Sequence, residues 1–438
     1  MREKVELTFI LTTLTLGCLD ARASWPFSYT FPSLDSMVAS ALGVRQQLEE
    51  LGLGATYPLA YLPTDKLIEH WGFKAETHYV TTEDGYILGV HRIANPYTMY
   101  PPVYFQHGLL ASSDLWLMRG PEEELAFQLA LKGYDIWLSN VRGSTYSRNH
   151  TTLSPDEEKF WDFSWHEMGT RDLPAVIDFI LAKTRQKRLF YIGHSMGTTQ
   201  FYVMASARPE YNDKIAVHFS LAPICFMGNM RAFDLFHPFA VDFDLYKVVC
   251  DQAPSLFQLN PLTARNNFEL LPRNPQVSEI LFGMLQNPLT NATFWLSIFS
   301  AVGPDLELIN MDTVALFLGH GPNGVSERTL QAYAQLLLWG DKFNRFDYGP
   351  EENLLRYGLR YPPAYNLSAI TAKVAIYFAD NDYLSHPKDV QKLAEKLPRL
   401  IRYKLIKHKK FNHMDYIWGT DSQKHFAGNI IDTIRKYS

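Results

Sequence analysis

Cysteine is scarce in this sequence: three residues in 438 cannot form the disulfide framework that holds small secreted folds together. Long basic runs are missing as well, and the formal net charge is −5, so we expect no nucleic-acid partner. No run of eighteen apolar residues follows the N-terminus, which argues against a transmembrane segment in the mature chain. The HExxH, CxxC and phosphate-binding glycine patterns do not occur, so neither a metal nor another cofactor is expected.

The N-terminus has the pattern of a secretory signal peptide. Two basic residues precede an apolar stretch, Leu7 to Leu16, and a small-residue A-x-A cleavage site ends at Ala23. We therefore predict a signal peptide over residues 1–23, whose removal takes Cys18 with it. An N-terminal extension is predicted over residues 24–61.

Two further features fit a secretory route. Three Asn-x-Ser/Thr sequons predict N-glycosylation, at Asn149, Asn291 and Asn366. Cys225 and Cys250 remain once the signal peptide is removed. An even pair in an oxidising compartment favours one disulfide between them, and the alternative is two buried thiols.

From about residue 76 the sequence alternates short strand-like runs with amphipathic helix-like runs. This alternation predicts an α/β fold, with a mostly parallel central sheet and helices on both faces. The alternation stops near Leu221 and resumes at Val374, and the intervening chain is mainly helical and rich in aromatic residues. We predict a core formed by residues 62–221 and 371–438, interrupted by a helical cap and lid insertion over residues 222–370.

Ser195 lies at the centre of a Gly-His-Ser-Met-Gly motif, residues 193–197. A strand-like run, residues 188–192, precedes the motif and a helix-like run, residues 198–207, follows it. A Gly-x-Ser-x-Gly motif in this context is typical of a nucleophile elbow, in which a sharp turn lifts the hydroxyl out of the sheet. The alternative is a Gly-Ser turn without a chemical role.

A serine hydroxyl is a poor nucleophile without a base, and the base needs an acid that orients it. In folds with this elbow the partners follow in the order serine, acid, histidine, each after a strand. The strand-like run 374–379 is followed by Asp380 and Asp382, and spacing alone leaves both open. The run 402–406 is followed by His413, the predicted base. The alternative roles are a helix cap for either aspartate and a solvated loop residue for the histidine.

An oxyanion hole requires two backbone N–H donors. One is expected from the residue after the nucleophile, Met196. The other is expected from the loop His107-Gly108-Leu109-Leu110, which follows an early strand. We interpret His107 as a residue that braces this loop through hydrogen bonds rather than as a catalyst.

Several ordered stretches of the chain are similar to the acid lipase family, which includes gastric and lysosomal acid lipases and invertebrate digestive members. The similarity covers about residues 62 to 436. The stretches that carry it are residues 80–88 (Val-Thr-Thr-Glu-Asp-Gly-Tyr-Ile-Leu), 106–112, 133–138, 142–143, 172–175, 193–198, 346–349, 382–384 and 412–415.

The resemblance implies an α/β-hydrolase fold and identifies Asp382 as the acid that acts with Ser195 and His413. It also points to Leu109 as the oxyanion donor that acts beside Met196. Vertebrate members carry glutamine at the latter position, but the hole is expected to survive because the donor is a main-chain amide. The implied protein is a secreted or lysosomal serine lipase that hydrolyses neutral-lipid esters, triacylglycerols and sterol esters, at a lipid–water interface.

Two other functions stay open. A carboxylesterase acting on smaller soluble esters would use the same three residues and differ only in the shape of its cap. A non-catalytic lipid-binding protein on the same fold would be expected to lack part of the triad. The presence of Ser195, Asp382 and His413 argues against that second alternative.

Overall fold

The computed structural model describes residues 58–232 and 268–438. The predicted signal peptide, most of the predicted N-terminal extension and Cys250 lie outside these residues. The strands are β1 (Ala75–Thr81), β2 (Tyr86–Ile93), β3 (Val103–Gln106), β4 (Ile136–Ser139), β5 (Asn149–His150), β6 (Leu189–His194), β7 (Ile215–Leu221), β8 (Glu269–Leu270), β9 (Val325–Ser326), β10 (Val374–Phe378) and β11 (Leu400–Leu405). The helices are α1 (Thr64–His70), α2 (Leu125–Leu131), α3 (Trp165–Glu167), α4 (Leu173–Thr184), α5 (Met196–Ala207), α6 (Pro275–Gln286), α7 (Pro288–Val302), α8 (Met311–His320), α9 (Glu327–Trp339), α10 (Pro350–Tyr357), α11 (Pro387–Lys396), α12 (Asp415–Trp418) and α13 (Gln423–Tyr437).

Within the described residues, nine strands form one sheet with the order β1-β2-β4-β3-β6-β7-β10-β11, and β5 pairs with β2. The β1–β2 and β2–β4 pairs are antiparallel, whereas every neighbouring pair from β4 to β11 is parallel. Gly85 closes the β1–β2 turn with a φ of 96°, a conformation that favours glycine. Parallel strands align their carboxyl ends along one edge, and the loops after β3, β6, β10 and β11 meet there.

Helices cover both faces of this sheet. Side chains alternate between the two faces of a strand, so neighbouring strand residues enter different apolar clusters. Phe105 lies in the cluster that includes Phe127 of α2 and Ile430 of α13. Tyr104 lies in the cluster that includes Ile177 of α4 and Phe201 of α5. The predicted α/β fold, a mostly parallel sheet with helices on both faces, is therefore confirmed.

The predicted bounds of β6, α5, β10 and β11 agree with the structure to within a few residues. Asp172, the residue before α4, does not cap that helix with its side chain. Asp172 has helical backbone angles and no side-chain bond to a helix amide. Its carboxylate instead accepts a 2.9 Å hydrogen bond from Nε of Arg142, which is 1% exposed. A buried guanidinium requires a charged partner more than a helix end requires a cap, because an unpaired buried charge costs several kcal/mol.

The chain between β7 and β10 is mainly helical where it is described, and contains α6 to α10. It also contains the antiparallel pair β8–β9, which sequence periodicity did not reveal because two-residue strands are too short to alternate. Leu270 of β8 and Val325 of β9 pack against Leu109 and Leu110, in the loop after β3. No helix in residues 58–232 or 268–438 is long and apolar enough to span a membrane.

Candidate active site

Ser195 occupies a strained turn between β6 and α5. Its φ of 52° and ψ of −120° are rare for a residue with a side chain. The turn is held by hydrogen bonds from Ser195 N to the Leu221 carbonyl, 3.0 Å, and from Thr198 N to the Ser195 carbonyl, 2.8 Å. A Cβ at Gly197 would lie 2.4 Å from the carbonyl oxygen of Gln106, so only glycine fits there. This backbone matches the elbow predicted from the motif.

Three predicted residues meet at this turn in one chain of hydrogen bonds. Nε2 of His413 lies 2.8 Å from Oγ of Ser195. Nδ1 of His413 lies 3.0 Å from each carboxylate oxygen of Asp382. Because a carboxylate only accepts, the proton sits on Nδ1, which leaves the Nε2 lone pair facing the serine hydroxyl. The histidine can therefore remove the proton of Ser195.

The structure separates the two acid candidates by burial. Asp382 is 0% exposed, and its Oδ1 also accepts backbone hydrogen bonds from Leu384, 3.0 Å, and Ser385, 2.7 Å. Asp380 is exposed, and the side chain that caps α11 is His386. The two turn amides orient the Asp382 carboxylate toward His413, which neither spacing nor composition reveals.

The two predicted oxyanion donors flank Ser195. Met196 is the first residue of α5, so its amide has no acceptor within the helix. Gly108 is in close contact with the serine, since a Cβ there would lie 3.1 Å from Cβ of Ser195. Among the backbone hydrogen bonds of the described residues, none uses the amides of Leu109 or Met196. Both amides are thus free to bind an anionic oxygen beside the serine.

Two buried histidines beside the triad are neutral structural groups. Nδ1 of His107 donates to the carbonyl of Gly108, 2.8 Å, and Nε2 accepts from the amide of Val141, 3.2 Å, which is the predicted bracing role. Nε2 of His194 donates to the carbonyl of His413, 3.0 Å. Burial lowers the pKa of His107 to about 4 and that of His194 to about 3, so neither carries a proton to the reaction near neutral pH.

Only one cysteine of the predicted disulfide lies in the described residues, and the three sequons differ in exposure. Cys225 is buried and forms no disulfide with another described residue; its predicted partner, Cys250, lies outside the described residues. Asn149 and Asn366 are exposed. Asn291 is half-buried in α7, and its side-chain amide donates to the carbonyl of Leu285. The disulfide and the three glycosylation sites stay predictions.

Sequence reasoning missed the polar groups that join the chain after β7 to the core. Glu269 is fully buried and pairs with Arg148, whose Nη2 lies 3.0 Å from Oε2. Buried carboxylates at Asp305 and Asp415 lie close to the loop that carries His413. Only the last of these fell in a motif-bearing stretch, 412–415. In the described ranges, no group of three or more His, Cys, Asp or Glu side chains has the arrangement of a metal site.

Comparison with known proteins agrees with this geometry. A family profile described as "Partial alpha/beta-hydrolase lipase region" matches residues 64–120, and one described as "alpha/beta hydrolase fold" matches residues 101–240. The chain is 38% identical to Lipase 1 of Drosophila melanogaster, over 86% of this chain and 80% of that protein. It is 37% identical to gastric triacylglycerol lipase of Bos taurus, over 87% and 93% of the two chains. It is 35% identical to human Lipase member K, over 87% and 92%. On this evidence the chain belongs to the acid lipase family of the α/β-hydrolase fold.

Proposed function

We propose that this protein hydrolyses ester bonds of neutral lipids, with triacylglycerols as the main substrate class and sterol esters as a second. Ser195 is the nucleophile, His413 the general base and Asp382 the acid that orients it. The single observation that carries the proposal is the unbroken series of contacts from Oγ of Ser195 through the imidazole to the buried carboxylate, 2.8 Å and 3.0 Å. A triad of this geometry activates serine for acyl transfer on many unrelated sequences.

The reaction proceeds in two halves. Nε2 of His413 takes the proton of Ser195 while Oγ attacks the ester carbonyl, and the Leu109 and Met196 amides bind the oxyanion, each contributing about 3 kcal/mol. The imidazolium, stabilised by Asp382, gives its proton to the departing alcohol oxygen as the C–O bond breaks. Water then attacks the acyl-enzyme, with its proton passing to His413. The fatty acid leaves and the serine recovers its proton.

The named relatives support a lipid rather than a small soluble ester, because one is a gastric triacylglycerol lipase. We propose that residues 222–370 form a cap and lid inserted into a core of residues 62–221 and 371–438. Large apolar side chains are exposed on the described part of that region, including Leu306, 77%, and Leu355, 81%. Exposed apolar surface of this kind suits contact with a lipid–water interface.

We also propose that the protein follows the secretory route, to the lysosome or the exterior of the cell. The exposed sequons Asn149 and Asn366 support this route. Glycosidase treatment of protein expressed in animal cells tests it. Asn149→Gln and Asn366→Gln should each remove one glycan from the electrophoretic shift, and a wild-type protein that does not shift would contradict the proposal.

A hydrolysis panel tests the function. Wild-type protein and Ser195→Ala are compared on emulsified long-chain triacylglycerol, cholesteryl ester and a soluble short-chain ester, from pH 4 to pH 8. We expect wild-type turnover to be highest on triacylglycerol. Ser195→Ala should lower kcat by about 10⁶-fold with an unchanged thermal melt, because subtilisin loses about that much when its nucleophilic serine is removed.

Other outcomes of the panel identify the other functions. Turnover of the soluble ester alone would assign the protein as a carboxylesterase. Binding of lipid without turnover of any ester, in wild-type protein, would indicate a non-catalytic lipid carrier. Full turnover by Ser195→Ala would show that a different group is the nucleophile.

A further inference from the structure

The segment Val302–Leu308 follows helix α7 and touches both loops that carry the acid and the base. The carbonyl of Val302 accepts a hydrogen bond from the amide of His413, 3.2 Å, and another from the amide of Tyr383, 3.4 Å. Tyr383 directly follows Asp382 in the chain. One backbone oxygen therefore joins the two loops at the residues that meet in the triad.

The next two carbonyls of the segment repeat this arrangement. Gly303 accepts from the side-chain amide of Asn412, 2.9 Å, and Pro304 accepts from that of Asn381, 2.9 Å. These asparagines directly precede His413 and Asp382. Gly303 has a φ of 105°, and a Cβ there would lie 1.9 Å from the carbonyl oxygen of Asn381. The approach is so close that no other residue fits.

A pair of buried carboxyl groups adds a side-chain connection. Asp305 is 1% exposed, and its Oδ1 accepts from the amides of Glu307, 2.6 Å, and Leu308, 3.2 Å. Its Oδ2 is buried, and no N–H group or alcohol hydroxyl of the described residues donates to it. Asp415 is 0% exposed, and its Oδ2 accepts from the amide of Asn412, 2.6 Å.

A proton on the neighbouring Asp415 carboxyl would supply the donor that Oδ2 of Asp305 lacks, and would be shared by the two groups. Burial, followed by the charge and hydrogen bond of Asp305, raises the pKa of Asp415 to about 8. Below that pH the pair holds its proton, and Oδ2 of Asp305 has a partner. Above it, two carboxylates face each other in an apolar setting and repel.

We propose that Val302–Leu308 is the positioning element of the triad, holding the Asp382 loop and the His413 loop together through three backbone carbonyls and a proton shared by Asp305 and Asp415. This inference rests on the proposed function of those loops. None of its residues touches the reacting atoms, so the segment acts through the placement of Asp382 and His413. A displacement of about 1 Å in such a placement is enough to lower turnover by about a hundredfold.

The shared proton makes the link between Asp305 and Asp415 sensitive to pH: it stabilises the folded protein at low pH and is lost as pH rises. Asp415 binds its proton more tightly in the folded protein, so its contribution to stability is full below about pH 4 and is lost as pH rises to about 8. Ionisable groups near the pair include His413 with its partner Asp382, and the Glu307–His408 pair, 3.4 Å apart. Tyr416 also lies there, and its pKa is raised by burial and by the charges of Asp382 and Asp415. The tyrosine stays neutral across this range.

The backbone part is tested by Gly303→Ala, with Gly349→Ala as the matched control. Both glycines have positive φ, 105° and 90°, but a Cβ at Gly349 meets no atom within 4 Å. We expect Gly303→Ala to lower kcat on a soluble ester by about a hundredfold with little change in KM, because it separates the two loops. The control should keep kcat within about twofold. A folded Gly303→Ala protein with wild-type kcat would overturn the proposal.

The shared proton is tested by Asp305→Asn, which keeps Oδ1 for the two amides and supplies an N–H toward Asp415. Asp213→Asn, at an exposed site, is the control. Relative to wild type, the folding equilibrium of Asp305→Asn should improve by up to about tenfold per pH unit between pH 4 and 8. Its alkaline fall in kcat should move up by about one pH unit or more. Asp305→Leu, which restores no hydrogen bond, should lower kcat at every pH.

These variants separate the inference from the function on which it rests. Identical pH profiles of kcat and stability for wild type and Asp305→Asn would refute the shared proton, whatever Gly303→Ala does. If Gly303→Ala does not fold, the Asp305 variants alone decide. Loss of turnover in Ser195→Ala with no effect of any 303 or 305 variant would leave the proposed function standing and reject the positioning element.

Discussion

The sheet core and the region between β7 and β10 are held in different ways. In the core, strands β3, β6, β7 and β10 are buried along their whole length, and apolar clusters cover both faces. The region between β7 and β10 also contributes apolar contacts, but polar connections tie it to the chain that follows β4 and to the loop that carries His413. Arg148 pairs with Glu269, the Thr145 hydroxyl donates to Asn323, 2.7 Å, and Val302 accepts from His413.

This difference separates two roles. The core supplies the groups that react, because parallel strands end at one edge and bring distant parts of the chain together there. The intervening region supplies contacts that arrive at that edge from outside the sheet. We therefore expect substitutions in the core loops to remove turnover of all esters alike. Substitutions at the polar connections should change stability and the placement of the loops.

The largest effect is expected from the acid. Asp382→Asn removes the carboxylate that holds the His413 tautomer and should lower kcat by about 10⁴-fold on every ester. Asp380→Asn, two residues away on the same loop but exposed, should lower it by less than about twofold. Steady-state kinetics on two esters of different length measure both. The reverse ranking would show that the acid was assigned wrongly.

A smaller effect is expected at the connection between Arg148 and Glu269. Arg148→Met removes the cation that faces a fully buried carboxylate, and should lower the free energy of unfolding by about 3 kcal/mol. Lys66→Met breaks an exposed pair within α1, 53% and 51% exposed, and should leave the free energy of unfolding nearly unchanged. Urea unfolding at neutral pH compares them. Equal costs would contradict the view that this connection holds the two regions together.

The smallest expected effect is a gain in the stability of the core. Gly428 lies inside α13, and a Cβ there meets no atom within 4 Å. Gly428→Ala should therefore raise the free energy of unfolding by about 0.5–1 kcal/mol, because alanine has the higher helix propensity. Turnover should not change. A destabilised variant, measured by thermal unfolding, would mean that the packing of α13 differs from that described.

The two regions also differ in how much of them the sequence predicts. The elbow at Ser195, an acid after β10 and the histidine after β11 follow from one rule of strand order. That rule left Asp380 and Asp382 open, and the resemblance to the acid lipase family pointed to Asp382. Short, continuously apolar runs made the core strands visible, since both faces of the sheet are buried. The choice between Asp380 and Asp382 was not visible, because burial and the turn amides that orient one carboxylate depend on the folded chain.

The other features of the fold and of the site could not be predicted from the sequence, and each has a physical reason. Strands β8 and β9 are too short for a period to show. The Val302 carbonyl carries no sequence signal, since every residue has one. Asp305 and Asp415 are far apart in sequence, and neither lies in a pattern that announces its partner. The ion pair of Asp172 was not predicted because its partner, Arg142, is distant in sequence.

One measurement tests the central claim most directly: labelling with a fluorophosphonate ester, followed by mass spectrometry of the peptides. The reagent attaches to an activated serine hydroxyl with loss of fluoride, so its site reports which oxygen the base deprotonates. We predict one phosphonyl group per chain, on Ser195, with loss of ester hydrolysis in proportion to labelling. We also predict no label on Ser195 in His413→Ala. An active enzyme that is inactivated by labelling at another residue would contradict the account.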